Sequence, residues 1–342
     1  MSDAITLSMK PTGWFQIGWS AEYQPGDIRP LKYFGQELVG YRSESGTFTL
    51  LDGHCPHLGA HLGYGGQVRG EDIQCPFHGW QWGPDGRNVC IPYQNRVTKR
   101  RVKVWPVAER NGVIYAWHDT EGRPPLCEVP DLFQLFESAG DPAMYQDPYP
   151  EGTLHRRDLT LHPQFVVENG VDVAHFTFVH RADNAPTIRR RSFDDWTFQT
   201  TMSMEFAVQD PDTQQARRVE GGLQAHLVGL GLSYAHAWGT GSVCSLTAPT
   251  PIDDNVAELR FTAWVDTADD PQRVLLSRRQ RSAIAQVQAD LNIWEHQRYT
   301  DPPVLATAEA SGFKDIRQWA RGFYPPSDDR SAELAGAGRE MR

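Results

Sequence analysis

The sequence predicts an α+β protein in two parts: an all-β unit over residues 12–120 and, over residues 121–342, an antiparallel sheet flanked by helices. Three observations lead there. Residues 12 to about 120 break into short apolar or alternating segments punctuated by Gly, Pro and Asp, as short strands joined by tight turns do. Residues 192–266 return to strand-like segments of greater length. Two stretches, 161–180 and 273–299, carry apolar residues at helical spacing instead. A chain of 342 residues is long enough for two domains and a sizeable core.

The elements follow in order. LVGYR (38–42), TFTLLDG (47–53) and RVKVWPV (101–107) read as strands, and GVIYAWHD (112–119) closes the first unit as another. The Pro-rich GRPPLCEVPDLF (122–133) reads as a linker or crossover. From residue 161, helical spacing runs through Phe165, Val166, Asn169, Asp172, Val173 and Phe176. TFQTTMSMEFAV (197–208), LQAHLVGLGLSYAHAW (223–238) and AELRFTAWVD (257–266) read as strands. Residues 273–299 read as one long helix with Ile284, Val287, Leu291 and Trp294 as its apolar stripe, ended by Asp301-Pro302-Pro303. The tail 331–342 is expected to fray.

Composition narrows the function. A hydrophobic content of 39% with eleven Trp marks a folded chain rather than a disordered one. The N-terminal MSDAITLSMKPTG has no apolar leader core, and no run approaches a membrane span, so a cytoplasmic protein without membrane association is expected. Five cysteines, at 55, 75, 90, 127 and 244, are too few and too oddly numbered for a disulfide framework; metal or redox chemistry fits better. Cys90, Cys127 and Cys244 read as small buried apolar residues. The net charge of -10 argues against nucleic acid as the main partner. Two basic runs, Lys99-Arg100-Arg101 and Arg189-Arg190-Arg191, read as solvated faces, with a docking patch for a redox partner as the alternative.

The chemistry concentrates in two constellations. The first is Cys55-Pro-His57 and Cys75-Pro-Phe-His78. Two thiols and two imidazoles can hold a structural zinc. They can equally hold a two-iron, two-sulfide cluster, with both thiolates on one iron and both imidazoles on the other. Each group supplies one Cys and one His, as two neighbouring loops meeting at a cluster would, and Gly59, Gly63, Gly65 and Gly66 permit tight turns there. His54 and His61 fall outside the spacing and read as loop histidines.

The second constellation is Asn169, Asp172, His175 and His180. A five-residue step turns a side chain about 140° around an ideal helix, so two ligands at this spacing need a helix end or an irregularity. The set suits a non-haem iron held by two His and a carboxylate; two core histidines are the bland alternative. Asp172, three residues ahead of His175 on the same helix face, can take the outer N–H of a ligating imidazole. The missing carboxylate has two candidates on the long helix. Asp290 has no cation three or four residues away, whereas Glu295 has Arg298 within reach. Asp290 is therefore expected to be the ligand.

The four-ligand pattern followed by Gly79-Trp80 resembles the Rieske iron–sulfur motif, and Asn169-x-x-Asp172-x-x-His175-x4-His180 with Asp290-Leu-Asn-Ile293-Trp294 is similar to the catalytic motif of the Rieske non-haem iron oxygenases. GWFQIGWS (13–20), CPFHGWQWGPDGRNVCIPY (75–93) and FKDIRQWARGFYP (313–325) resemble the branch of 3-ketosteroid 9α-hydroxylase oxygenase components. The resemblance implies a Rieske domain over 12–120 and a catalytic domain of helix-grip-like fold over 121–342. It implies a [2Fe-2S] cluster on Cys55, His57, Cys75 and His78, and a mononuclear Fe(II) on His175, His180 and Asp290. It implies a homotrimer in which Asp172 links His175 to His78 of the next chain. Asn169 would steady a ligand of the iron or serve the helix alone. No Gly-x-Gly-x-x-Gly loop occurs, so NAD(P)H and flavin belong to a separate ferredoxin-type reductase. The expected reaction inserts one atom of O2 into a large apolar, steroid-like small molecule, with Phe206, Leu223, Leu227 and Trp238 as candidate pocket wall. The rivals are an O- or N-demethylase, a desaturase, and an electron carrier without catalytic iron.

Overall fold

The computed structural model describes residues 7–209 and 216–325; the tail at 331–342 lies outside the described residues. The first part holds β1 (Gly13–Trp19), β2 (Ile28–Tyr33), β3 (Gln36–Arg42), β4 (Phe48–Asp52), β5 (Gln67–Arg69), β6 (Asp72–Gln74), β7 (Gln81–Trp82), β8 (Asn88–Cys90), β9 (Val104–Trp105), β10 (Val107–Arg110) and β11 (Val113–His118). They form three antiparallel sheets, ordered β1-β11-β10, β2-β3-β4-β9 and β5-β6-β7-β8. RVKVWPV, expected as one strand, is strand only at Val104–Trp105 and again from Val107.

The second part begins with α1 (Leu132–Leu135) and β12 (Thr153–Leu159). Next come α2 (Pro163–Glu168) and α3 (His175–Phe178). The strands β13 (Thr187–Phe193), β14 (Thr197–Gln209), β15 (Ala216–Val228), β16 (Leu232–Trp238), β17 (Val243–Pro251) and β18 (Ala257–Val265) follow, then α4 (Leu276–Trp294) and α5 (Ala310–Ala320). Seven strands make one antiparallel sheet, β12-β18-β17-β16-β15-β14-β13. This is the α+β architecture the sequence predicts.

One expectation is corrected. Residues 161–180 are not a continuous helix: α2 stops at Glu168 and α3 starts at His175. Gly170 N–H bonds to Val167 O at 3.0 Å and Val171 N–H to Glu168 O at 3.2 Å, tightening the end of α2 into a turn. The apolar period survives the break, because Val171 still points into the core. Periodicity alone therefore could not locate it.

The two parts share a core. Every residue of β1 is buried, because both of its faces are covered. Phe15 and Ile17 pack with Tyr33, Leu38 and Leu50. Trp14 and Trp19 pack with Trp117 of β11 and with Leu232, Tyr234, Leu246 and Trp264 of the large sheet. A register shift between Gln16 and Gly18 puts Trp19 on the same side as Trp14 despite odd spacing. Each of these side chains gains ~1.5–3 kcal/mol from leaving water. A buried polar seam runs beside them. Glu258 on β18 has no exposed surface. Its carboxylate accepts from Tyr33 Oη at 2.7 Å and His155 Nε2 at 3.0 Å, and it is ion-paired with Arg260. Trp19 Nε1 donates to Thr262 Oγ1 at 2.9 Å across the same seam.

Candidate metal centres

Residues 55–60 and 75–80 fold as twins. In the first, Gly59 N–H bonds to Cys55 O at 2.9 Å and Cys55 N–H to Ala60 O at 2.8 Å. In the second, Gly79 N–H bonds to Cys75 O at 3.1 Å and Cys75 N–H to Trp80 O at 2.8 Å. Each loop thus curls around its own cysteine and throws one histidine outward. Gly59 and Gly79 sit at φ of +79° and +72°, a conformation that suits glycine. Gly66 serves differently: a Cβ there would lie 2.1 Å from Leu62 O, so only hydrogen fits beneath the first loop.

The donors are graded in depth. Cys55 and Cys75 are 1% and 4% exposed and both are free thiols. His57 and His78 are half-buried, with ring centres 4.7 Å apart. Trp80 stacks on His57 at 4.2 Å, nearly parallel, and Phe77 leans on His78 at 3.8 Å. Burial, with the neighbouring Cys75, pushes the Cys55 thiol up to about 11. A bound cation reverses this, since a coordinating thiol is deprotonated outright. Trp82 Nε1 is buried without a hydrogen-bond partner of normal geometry, yet it is near enough to Cys55 to lower that thiol's pKa. Inner thiols, outer imidazoles and a spare N–H beside sulfur fit a two-iron, two-sulfide cluster that Cys55, Cys75, His57 and His78 would hold.

The second centre sits where α2 breaks. Asp172 Oδ1 accepts from Ala174 N–H at 3.1 Å and His175 N–H at 3.2 Å, capping the start of α3. His175 Nδ1 donates to the main-chain carbonyl of Asp172 at 2.6 Å, while the nearest Asp172 carboxylate oxygen is 3.8 Å away. The expectation that the carboxylate holds this nitrogen is thereby corrected: the turn brings the carbonyl closer. His180 lies two residues beyond the end of α3, and its ring centre is 5.0 Å from that of His175. The helix end supplies the irregularity that a five-residue spacing requires.

Asp290 arrives from α4, with Oδ1 at 3.2 Å from His180 Nε2. One ligand atom each from His175, His180 and Asp290 falls within 4.8 Å of the others. His180 Nδ1 is buried with no partner. Burial lowers the His175 pKa, but Asp172 and the charge of Asp290 outweigh it, so the net shift is upward. Two imidazoles and a carboxylate converging in this way fit an iron of the two-histidine, one-carboxylate class. Glu295 does not take part; its carboxylate lies 3.5 Å from Arg156, not Arg298 as expected.

A cavity of about 140 Å3 adjoins this triad, lined among others by Asn169, Asp172, Asp290, Trp294, Gln297 and Phe313. The four side chains expected as pocket wall do not meet there. By strand register Phe206, Leu223 and Leu227 share one face of the sheet, and Trp238, opposite Gly222, occupies the other. Leu227 is core, packed with Phe198, Val167 and Ile316. Trp238 stacks on His236.

Sequence reasoning missed Glu168. It is 4% exposed, lines the cavity, and is gripped by Arg317 Nε at 2.9 Å and Gln164 Nε2 at 2.8 Å. Its only signal was an acid at the end of an apolar helical run. A further group of donors, Glu37, His54 and His61, also comes together near the first loop. His54 donates to Gly59 O at 3.0 Å and lies 2.6 Å from Glu37 Oε2, so the group is closed as an ion pair.

Comparison with known proteins assigns both parts. Residues 13–106 match the Rieske [2Fe-2S] domain, and residues 116–324 match the 3-ketosteroid 9alpha-hydroxylase C-terminal domain. A probable 3-ketosteroid-9-alpha-monooxygenase oxygenase component of Rhodococcus rhodochrous is 28% identical, over 94% of this chain and 82% of that one. A cholesterol 7-desaturase of Ciona intestinalis is 36% identical over 50% of this chain; the match spans only 34% of that protein's length. The fold is shared with dicamba monooxygenase bound to 3,6 dichlorosalicylic acid, with a TM-score of 0.69 at 18% identity, covering 98% of this chain and 100% of that one. The chain belongs to the Rieske non-haem iron oxygenases, as an oxygenase α component whose second domain is of the 3-ketosteroid 9α-hydroxylase type.

Proposed function

We propose that the chain is the terminal oxygenase of a multicomponent monooxygenase. It hydroxylates a large apolar, steroid-like substrate with O2 and with electrons from a separate NAD(P)H-dependent reductase. The convergence of His175, His180 and Asp290 beside a cavity is the observation that carries this reading. Cys55, His57, Cys75 and His78 would hold the two-iron cluster, and His175, His180 and Asp290 the mononuclear iron. When bound, that iron supplies the activation of O2.

The chain's own residues set the conditions. The Asp172 carbonyl holds the proton on His175 Nδ1 and so leaves Nε2 as the ligand atom. Phe165, Val179, Ile293, Trp294 and Phe313 give the cavity an apolar wall that limits water. Asn169 and Gln297 are its neutral polar side chains and are placed to orient a bound oxygen function. The cavity is smaller than the ~300–1,000 Å3 of typical ligand pockets, so a steroid-sized substrate requires it to widen. Asp172, whose carboxylate is not consumed by His175, is free to meet His78 of a neighbouring chain in a head-to-tail trimer. The likeness to cholesterol 7-desaturases favours a second reading, desaturation of a sterol by the same iron.

Metal analysis of His175→Ala tests the assignment. The variant should lose the mononuclear iron and all product formation while keeping the cluster's visible absorbance. Full turnover by that variant would remove the basis of the reading.

A further inference from the structure

Residues 87–104 carry six basic side chains, Arg87, Arg96, Lys99, Arg100, Arg101 and Lys103, and no acidic one, in a chain whose net charge is -10. All six are exposed. Among the described residues only Arg87 finds a carboxylate, Asp85 at 3.2 Å, and Lys103 lies over the Trp105 ring at 4.1 Å. Arg87 and Arg101 face each other across an isolated antiparallel bridge, where like charges repel. Two of the three cations in the other basic run have partners within the chain by contrast. Arg191 pairs with Asp315 at 2.7 Å, and Arg189 donates to Ser203 Oγ at 2.6 Å.

The ridge is anchored to the cluster loops. Buried Asn88 accepts from Thr98 N–H at 3.1 Å and donates to Gln81 O at 3.0 Å and Cys90 O at 3.2 Å. Tyr93, 61% exposed, accepts a 2.6 Å hydrogen bond from Trp80 Nε1. Trp80 in turn stacks on His57. An unbroken line of contacts, Tyr93 to Trp80 to His57, therefore leads from the foot of the basic ridge to a candidate cluster ligand.

We infer that the ridge at 96–103, with Tyr93 and Trp80, is the docking face for an acidic electron-donor protein. The inference rests on the reading above, in which electrons come from a separate protein. A donor of negative surface is repelled by the chain's net charge of -10 and attracted to this face, which steers it to the cluster. In the docked pair one electron passes from the donor's reduced centre to the cluster. The donor is oxidised by one electron, the cluster is reduced by one, and no proton or bond changes hands.

The test uses the full-length, cluster-loaded protein and a plant-type ferredoxin of net negative charge as probe. Calorimetry over a series of salt concentrations gives Kd, and stopped-flow absorbance gives the rate of cluster reduction. The triple variant Lys99→Glu, Arg100→Glu, Arg101→Glu should bind about tenfold or more weakly at low salt and lose most of the salt dependence. The triple Gln variant should fall between. The final extent of reduction by excess dithionite should match the unmodified protein in both, which certifies the cluster, and circular dichroism certifies the fold. Tyr93→Phe, which removes the acceptor for Trp80 Nε1, should slow reduction by ferredoxin more than it raises Kd. Equal Kd for charge-reversed and unmodified protein at every salt concentration would overturn the inference. So would salt-dependent binding of a DNA duplex with no binding of ferredoxin. Intact docking and reduction with no oxygenated product would instead count against the functional reading and leave the docking face standing.

Discussion

His175 donates its Nδ1 hydrogen to the main-chain carbonyl of Asp172 at 2.6 Å, and the Asp172 carboxylate caps the following turn instead of holding the ring. Backbone and side chain of one residue thus have separate duties: the carbonyl orients the imidazole, and the carboxylate caps the turn.

Asp172→Asn keeps both the carbonyl and an Oδ1 acceptor. Its mononuclear iron content should therefore stay near that of the unmodified protein, while turnover falls by roughly 10–100-fold through loss of the contact proposed between this carboxylate and His78 of a neighbouring chain. Iron analysis alongside single-turnover kinetics separates the two. Loss of iron in step with activity would place the carboxylate in ligand orientation after all.

Asp290→Asn should release the mononuclear iron, whereas Glu295→Gln should retain it, because Glu295 is spent on Arg156. Iron-to-cluster ratios of the two purified variants check this directly.

Iron uptake by the apo protein should weaken in acid. Burial opposes the charged form of His175, but Asp172 and Asp290 raise its pKa overall, so a proton competes with iron from a higher pH than for a free imidazole. Iron affinity should be full above that raised pKa and fall as pH drops through it. A pH series of iron titrations that stays flat on the acid side would contradict the assignment.

The seam between the domains should be costly to break. Glu258→Ala leaves Arg260 buried without its partner, a loss of ~3–5 kcal/mol, read as a lower denaturation midpoint. Gly66→Ala should act locally, because its Cβ meets Leu62 O; cluster incorporation should drop while the large sheet persists by circular dichroism.

The legible parts of the site were the local ones. The candidate ligands from Cys55 to His78 sit in two loops of one short stretch of chain, so the pattern that marks them is local in sequence. Asp290 was harder: it lies far along the chain, and helical periodicity left it level with Glu295. The break at residues 169–174 was hidden because Val171 keeps the apolar rhythm through the turn. The pocket wall was not legible. Both faces of the large sheet are apolar, one covered by α2 and α5 and the other by β1 and β11, so hydrophobicity along β15 and β16 does not say which face meets substrate. Glu168 was missed because its partner Arg317 is remote in sequence.

The most direct measurement is turnover with androst-4-ene-3,17-dione, a ferredoxin-type reductase, NADH and isotopically labelled O2, with products read by mass spectrometry. The account predicts a steroid product heavier by one labelled oxygen atom, abolished in His175→Ala and Asp290→Asn. An unchanged steroid, from protein whose cluster is reduced and whose mononuclear iron is present, would contradict the assignment of steroid hydroxylation.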